Sequence, residues 1–363
     1  MSEPSDVAFG VVRGSIPRGT SGRQAKAGVC PILGGGSMHE CIYCRRLLSE
    51  ADFNREHVIS EAFGKFDDAP VLHSMVCREC NQFFGDKLEV RFTRGALEAL
   101  LRYDSGLKAA PDSVIKLPFV EVTLPPGTDW SGVRLGLRLE DKLRIHVFAQ
   151  VAFPDRSGHG WVHITACDIE RGALADTSRL DTSNARIFAS SQEERDLLLS
   201  RLRDHGITFT KLDDFDAPAG LFDGRDPEVE LTVTVNRGIR RCVAKYVFNY
   251  LAYECGASFV LGTDFDPIRR FIRNGEVTDE QFVVENVPQD RRNWSADAQI
   301  GAGHIVAVTW APNGFDLVGQ ISLFSYMSYT VLLARRYGGP IWRPISRGLH
   351  YDIRSKTVQQ LGA

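Results

Sequence analysis

Cys41-Ile-Tyr-Cys44, Glu56-His57-Val58-Ile59 and Cys77-Arg-Glu-Cys80-Asn81 follow one another within forty-one residues of this 363-residue chain. Each Cys-x-x-Cys turn sets two thiolates on one side of a tight loop. Two such turns supply the four sulfurs of a tetrahedral structural Zn²⁺ site, so Cys41, Cys44, Cys77 and Cys80 are the expected zinc ligands. The gap between Cys44 and Cys77 is longer than in small zinc fingers and must hold folded structure of its own. A redox disulfide pair is the rival for the cysteines, but a redox Cys-x-x-Cys normally occurs once, beside a βαβ pattern. Here the motif occurs twice, with no such pattern beside it. A plain zinc ribbon with a chance histidine remains open.

Glu56 and His57 lie inside the gap, at the expected end of a short strand. Successive strand side chains point to opposite faces, so the two share a face only at a kink or a strand end. Asn81 is tied to the second knuckle and enters a helix expected from Arg78 to about Phe92. Phe84, Leu88 and Phe92 recur at the spacing of a core-facing stripe. Gly85, inside that helix, costs about 1 kcal/mol relative to Ala, which suggests a close approach at that point. Glu56 and Asn81 offer hard oxygen ligands for a second cation, with phosphate and water completing its shell.

These residues resemble the HNH, or ββα-metal, endonucleases, in the branch with a four-cysteine zinc. Glu56-His57-Val58-Ile59-Ser60-Glu61-Ala62-Phe63-Gly64 is similar to the EHVIPEALGG-like signature, with Ser60 where proline is usual. The run from Cys77-Arg-Glu-Cys80-Asn81 to Leu88-Glu89 is similar to the CxxCNxxFGxxLE helix. The resemblance covers roughly residues 39–95. It implies His57 as general base, and Glu56 and Asn81 as ligands of one Mg²⁺ or Mn²⁺. It also implies DNA as substrate, RNA not being excluded, a leaving 3′-oxygen and a 5′-phosphate product. The middle Asn that orients the base in this family is absent. Leu72-His73-Ser74 stands there, making His73 or a backbone carbonyl the candidate to hold the imidazole. A base for this reaction needs a pKa near 7, the range of histidine, and a divalent ion acts as the Lewis acid.

The fold class expected is α+β: a flexible Gly/Ser-rich basic arm at 1–38, a zinc-stapled HNH domain at 39–108, and a larger mixed domain with antiparallel strands at 112–363. Residues 1–110 carry 14 basic and 14 acidic side chains, and the whole chain has a net charge of −3. Affinity for nucleic acid must then come from local patches rather than bulk charge. No run of about 18 apolar residues and no leader-like apolar segment occurs, so the expectation is a cytoplasmic protein that does not enter a membrane. Cys30, Cys167, Cys242 and Cys255 read as ordinary small hydrophobes.

Strands are expected at Val114–Leu124, Val133–Leu139, Leu143–Phe153, Trp161–Cys167, Val229–Val235, His304–Ala311, Phe315–Phe324 and Tyr329–Ala334. Helices are expected at Ser191–Gly206, Ile239–Cys255 and Ile268–Ile272. Asn313-Gly314 signals a hairpin. Arg237, Arg240, Arg241, Lys245, Arg269, Arg270 and Arg273 form a candidate basic surface. The C-terminal region either clamps the nucleic acid or senses a ligand or protein partner that gates the nuclease, as in an effector of phage defence. The alternative to a nuclease is a catalytically silent zinc module in a nucleic-acid-binding protein.

Overall fold

The structure, a computed structural model, describes residues 37–109, 115–124, 130–139, 143–216, 229–276, 282–286, 303–337 and 347–361. The expected arm, Cys30 and the expected boundary at 110–112 lie outside the described residues, apart from the last two positions of the arm.

The elements follow in chain order. Strands β1 (Met38–Glu40) and β2 (Leu47–Ser49) flank the first knuckle, and β3 (Glu56–His57) and β4 (Val71–Leu72) form a second pair. Helices α1 (Arg78–Phe84), α2 (Val90–Gly95) and α3 (Leu97–Asp104) come next, with a π-helical turn at Gly85–Glu89 joining the first two. Then come β5 (Val120–Thr123), β6 (Arg134–Leu139), β7 (Leu143–Val147), β8 (Gln150–Pro154), β9 (Trp161–Thr165), α4 (Ala166–Glu170), β10 (Asn184–Ala189), α5 (Gln192–Asp204), β11 (Lys211–Asp216) and β12 (Glu230–Val233). The chain continues through α6 (Arg237–Cys255), α7 (Ala257–Val260), α8 (Asp266–Asn274), β13 (Val283–Asn286), β14 (Gly303–Trp310), β15 (Leu317–Leu323), β16 (Met327–Ala334), β17 (Arg347–Asp352) and β18 (Thr357–Leu361).

The α+β expectation holds, with mainly antiparallel sheets. The largest has the order β13-β16-β15-β14-β17-β18 and is antiparallel throughout. A second runs β12-β5-β6-β7, and a third β11-β10-β8-β9. In the third, β10 and β11 pair in parallel across α5, a βαβ unit far from the knuckles. Among the described residues no helix is long and apolar enough to cross a membrane.

Helix α6 positions everything else. Asn236 caps it by accepting from the amide of Ile239 at 3.1 Å, and Gly256, at φ +85°, ends it. The helix packs on the β14-β15-β16 face of the large sheet. A Cβ at Gly319 of β15 would come within 2.1 Å of Val247, so glycine is what lets the two approach. On its other side α6 meets β4, the π turn and α2. One hydrophobic core therefore runs from Cys41 through Phe84, Phe92 and Phe248 to Ile353. A smaller core lies under α5, built from Val151, Phe153, Ile187, Leu198 and Leu202.

Several expectations need correction. Leu143–Phe153 is two strands in two sheets, broken at Phe148-Ala149. Gln150, fully buried, pins that corner by accepting from the amide of Arg134 at 2.9 Å and donating to the carbonyls of Arg134 and Phe148 at 2.8 and 2.9 Å. The knuckle helix does not run as a regular α-helix to Phe92. It widens at Gly85, and a Cβ there would meet nothing within 4 Å among the described residues, so no close approach to the hairpin explains that glycine. Lys245 and Arg269 leave the candidate basic surface, being 1% and 3% exposed. The hairpin expected at Asn313-Gly314 is present, joining antiparallel β14 and β15, and the Ala311 amide donates to the carbonyl of Asp316 at 2.8 Å to close it.

Candidate active site

The four knuckle sulfurs lie within 4.8 Å of one another. Those of Cys44 and Cys77 are 3.8 Å apart, the edge of a tetrahedron whose centre lies about 2.3 Å from each sulfur. Cys41, Cys77 and Cys80 are buried and Cys44 is half-buried. A hydrogen bond from the Cys80 thiol draws the Cys41 thiol down to about 5, whereas Cys80 is pushed up. The donor set thus fits one thiophilic metal ion. Arg45 takes φ +62° to close the first knuckle, and its amide donates to the carbonyl of Cys41 at 2.9 Å. The buried Arg269 of α8 donates to the carbonyl of Ile42 at 2.6 Å, inside that knuckle. Tyr43 packs edge-on against Phe84 at 4.6 Å and tilts against Phe248 of α6 at 5.6 Å.

Strand β3 is regular. Glu56 pairs with Leu72 and His57 with Val71, so the two functional side chains leave on opposite faces. Glu56 turns inward and is 4% exposed. Its Oε1 accepts from Lys245, with which it forms an ion pair, and from Nδ2 of Asn249 at 2.9 Å. Among the described residues Oε2 has no hydrogen-bond partner. His57 turns outward. Its Nε2 lies 3.2 Å from Oε1 of Glu61, four residues on, and its buried Nδ1 has no hydrogen-bond partner among the described residues. His73 is exposed, and among the described residues no hydrogen bond joins it to His57. Glu61, not His73, is therefore the group against the imidazole.

Asn81 sits on the knuckle helix and reaches back to the approach of β3. Its Nδ2 donates to Oδ1 of Asn54 and to the carbonyl of Arg55, both at 3.0 Å. Its Oδ1 has no hydrogen-bond partner among the described residues. The structure thus joins the Asn81 helix to the residues leading into the Glu56-His57 strand, and the four-cysteine cluster lies at the start of that helix.

Behind Glu56 lies a charged network that sequence reading missed. Lys245 also donates to Oε1 of Glu89 at 2.5 Å, and Ser60, at the usual proline position, donates to Oε2 of Glu89 at 3.2 Å. Burial alone would raise the Glu89 carboxyl and lower the Lys245 ammonium. The opposite charges outweigh it, so Glu89 is lowered and Lys245 raised. Asn249 accepts from Tyr43 Oη at 2.7 Å through Oδ1, and its Nδ2 also donates to the carbonyl of His57 at 3.1 Å. The available signal was a lysine and an asparagine one helical turn apart in the buried middle of the helix, from Cys242 to Ala252.

A second charged feature borders the knuckle helix. Arg273 and Arg241 lie over the Phe83 ring, at 4.2 and 5.8 Å from its centroid. Burial, together with Arg273, Arg237 and Arg91 nearby, pushes the Arg241 guanidinium below its ordinary range. Four like charges thus meet where α2, α6 and α8 converge.

Residues 41–97 match the family model described as HNH endonuclease. No curated protein and no solved structure gives a match to the chain. The family match, the quoted motifs and the four-cysteine cluster all fall on one segment, which ends well before α6.

Proposed function

We propose that the chain is a metal-dependent endonuclease that hydrolyses phosphodiester bonds of DNA. One observation carries the reading. The segment that matches HNH endonucleases ties the residues leading into the Glu56-His57 strand to the Asn81 helix, and among the described residues three acceptor atoms there have no hydrogen-bond partner: Glu56 Oε2, Asn81 Oδ1 and His57 Nδ1. Of the three, only His57 Nδ1 is also closed to solvent; a buried polar atom is normally satisfied, and a catalytic role is one reason for an exception.

The two oxygens fit a hard cation, Mg²⁺ or Mn²⁺, which would be held by Glu56 and Asn81. Such an ion, when bound, supplies Lewis-acid stabilisation of charge on the phosphoryl group. His57 is the general base. Glu61 lies against Nε2 and leaves Nδ1 as the nitrogen without a hydrogen-bond partner among the described residues. Asn249, through the carbonyl of His57, fixes the backbone on which the imidazole is carried. The four thiolates hold zinc in a structural role and take no part in proton transfer. The cluster of Arg91, Arg237, Arg241 and Arg273 supplies positive charge beside the knuckle helix for a phosphate backbone.

A second reading draws on the burial of Glu56. Its ion pair with Lys245 also suits a catalytically silent zinc module that binds nucleic acid. Incubation with supercoiled plasmid and Mg²⁺ or Mn²⁺ decides between them. Nicking that EDTA abolishes, and that His57→Ala loses, supports the nuclease. DNA binding without cleavage under either metal supports the silent module.

A further inference from the structure

Lys245 and Asn249 sit one turn apart on α6, so they share a face. Both bonds that they direct at Glu56 fall on the same oxygen, Oε1. Asn249 further holds the carbonyl of His57, so a single side chain grips both members of the Glu-His pair. Asn249 is itself fixed by Tyr43 of the first zinc knuckle, and Lys245 by Glu89 at the end of the π turn. Neither residue lies in the segment that matches the HNH family.

A buried ion pair alone would need no such convergence. Groups that bind the far oxygen of a ligating carboxylate orient it, and losing them typically costs about 10–100-fold in metal affinity. We propose that Lys245 and Asn249 are positioning residues of the nuclease site: by clamping Oε1 of Glu56 they present Oε2 to the divalent ion. The larger C-terminal part thereby completes the site. This rests on the nuclease reading above.

Mn²⁺ binding, followed by the electron-paramagnetic-resonance signal of free Mn²⁺, tests it apart from activity. The titration uses full-length, zinc-loaded His57→Ala protein with a short DNA duplex, so that nothing is cut. Asn249→Ala and the charge-compensated pair Lys245→Met/Glu89→Gln are each added to that background. The expected result is Mn²⁺ affinity weakened roughly 10–100-fold, with zinc content and melting cooperativity kept. In proteins that retain His57, the Mg²⁺ needed for half-maximal cleavage rises in step, and KM for DNA stays put. Folded, zinc-loaded variants with parental Mn²⁺ affinity overturn the proposal. So does tighter binding after loss of Lys245, which would place the ammonium where the cation goes. If both variants lose zinc and cooperativity, the network is structural and the proposal also falls. A parent that takes up no Mn²⁺, in a protein that cuts no plasmid, overturns the nuclease reading itself.

Discussion

Asn249 donates to Oε1 of Glu56 at 2.9 Å across 193 positions of the chain. Lys245 reaches the same oxygen one helical turn earlier. Removing only the lysine leaves two carboxylates facing each other with no counter-charge. Breaking a buried pair in this way costs roughly 3–5 kcal/mol. Lys245→Ala is expected near the lower figure, because the Glu89 side chain is still 19% exposed. Urea titration of wild type and variant reads the difference.

His57→Ala is expected to lower plasmid cleavage by roughly 10²–10⁴-fold, the share of a general base. Zinc content and DNA binding should be unchanged. Glu61→Gln keeps an acceptor near Nε2 but removes the charge, so its loss should be smaller. Equal losses in the two variants would show Glu61 to be more than an orienting group.

One zinc ion per chain is expected, with sulfur distances of about 2.3 Å by X-ray absorption. Cys77→Ser should lose that ion. The knuckles share a core with α6, through Tyr43 against Phe248 and Arg269 on Ile42. The melting temperature of the whole described fold should therefore drop, read by circular dichroism. A zinc-free variant that melts like wild type would separate the knuckles from the fold.

Glu98 is 1% exposed, and burial pushes its carboxyl up to about 7; the Tyr329 hydroxyl donates to it at 2.6 Å. A carboxyl with a raised folded pKa favours the native state while it is protonated. That contribution is complete below the unfolded value of about 4.5, is lost as pH rises toward 7, and stays lost above it. Glu98→Gln should abolish this dependence and be more stable than wild type at pH 8 by roughly 3 kcal/mol. The gap should close at acidic pH. Parallel stability curves for the two proteins would refute the assignment.

The arginine cluster predicts a salt effect. Arg237→Ala and Arg273→Ala should weaken duplex binding across sequences, and each should reduce the slope of log K against log salt by about 1. Unchanged slopes would leave these arginines with purely structural work, such as the bonds from Arg241 to the carbonyls of Ile272 and Arg273 at 2.9 Å.

The sequence was legible where local chemistry decides. Two knuckles, the Glu-His pair and Asn81 stand within a short stretch, and their motifs carry both the zinc cluster and the family match. The helices expected at Ser191–Gly206 and Ile268–Ile272 are there, capped by Ser191 at Glu194 N–H and by Gly275 at φ +71°. It was illegible where partners are distant. Lys245 looked like one more cation among the arginines of α6, because nothing near it in sequence reveals two carboxylates facing it. Leu143–Phe153 kept its apolar alternation through the corner that Gln150 bonds in place, so one strand was expected where two occur. Strands β10 and β11 were missed because parallel pairing across α5 leaves no turn signal between them. The orienting Glu61 stood in the quoted motif, but a 3₁₀ turn, not a strand, carries it back to His57.

The distance between Asn249 and Glu56 along the chain also sets a clock. During synthesis at roughly 5–20 residues per second, the cysteines through Cys80 emerge and can gather their metal early. The helix that grips Glu56 follows only after some 193 further positions from that glutamate, or about 10–40 s at that pace. A nascent chain would thus carry a finished zinc cluster beside an unanchored carboxylate. On the nuclease reading, cutting power would come only with the later two-thirds of the protein.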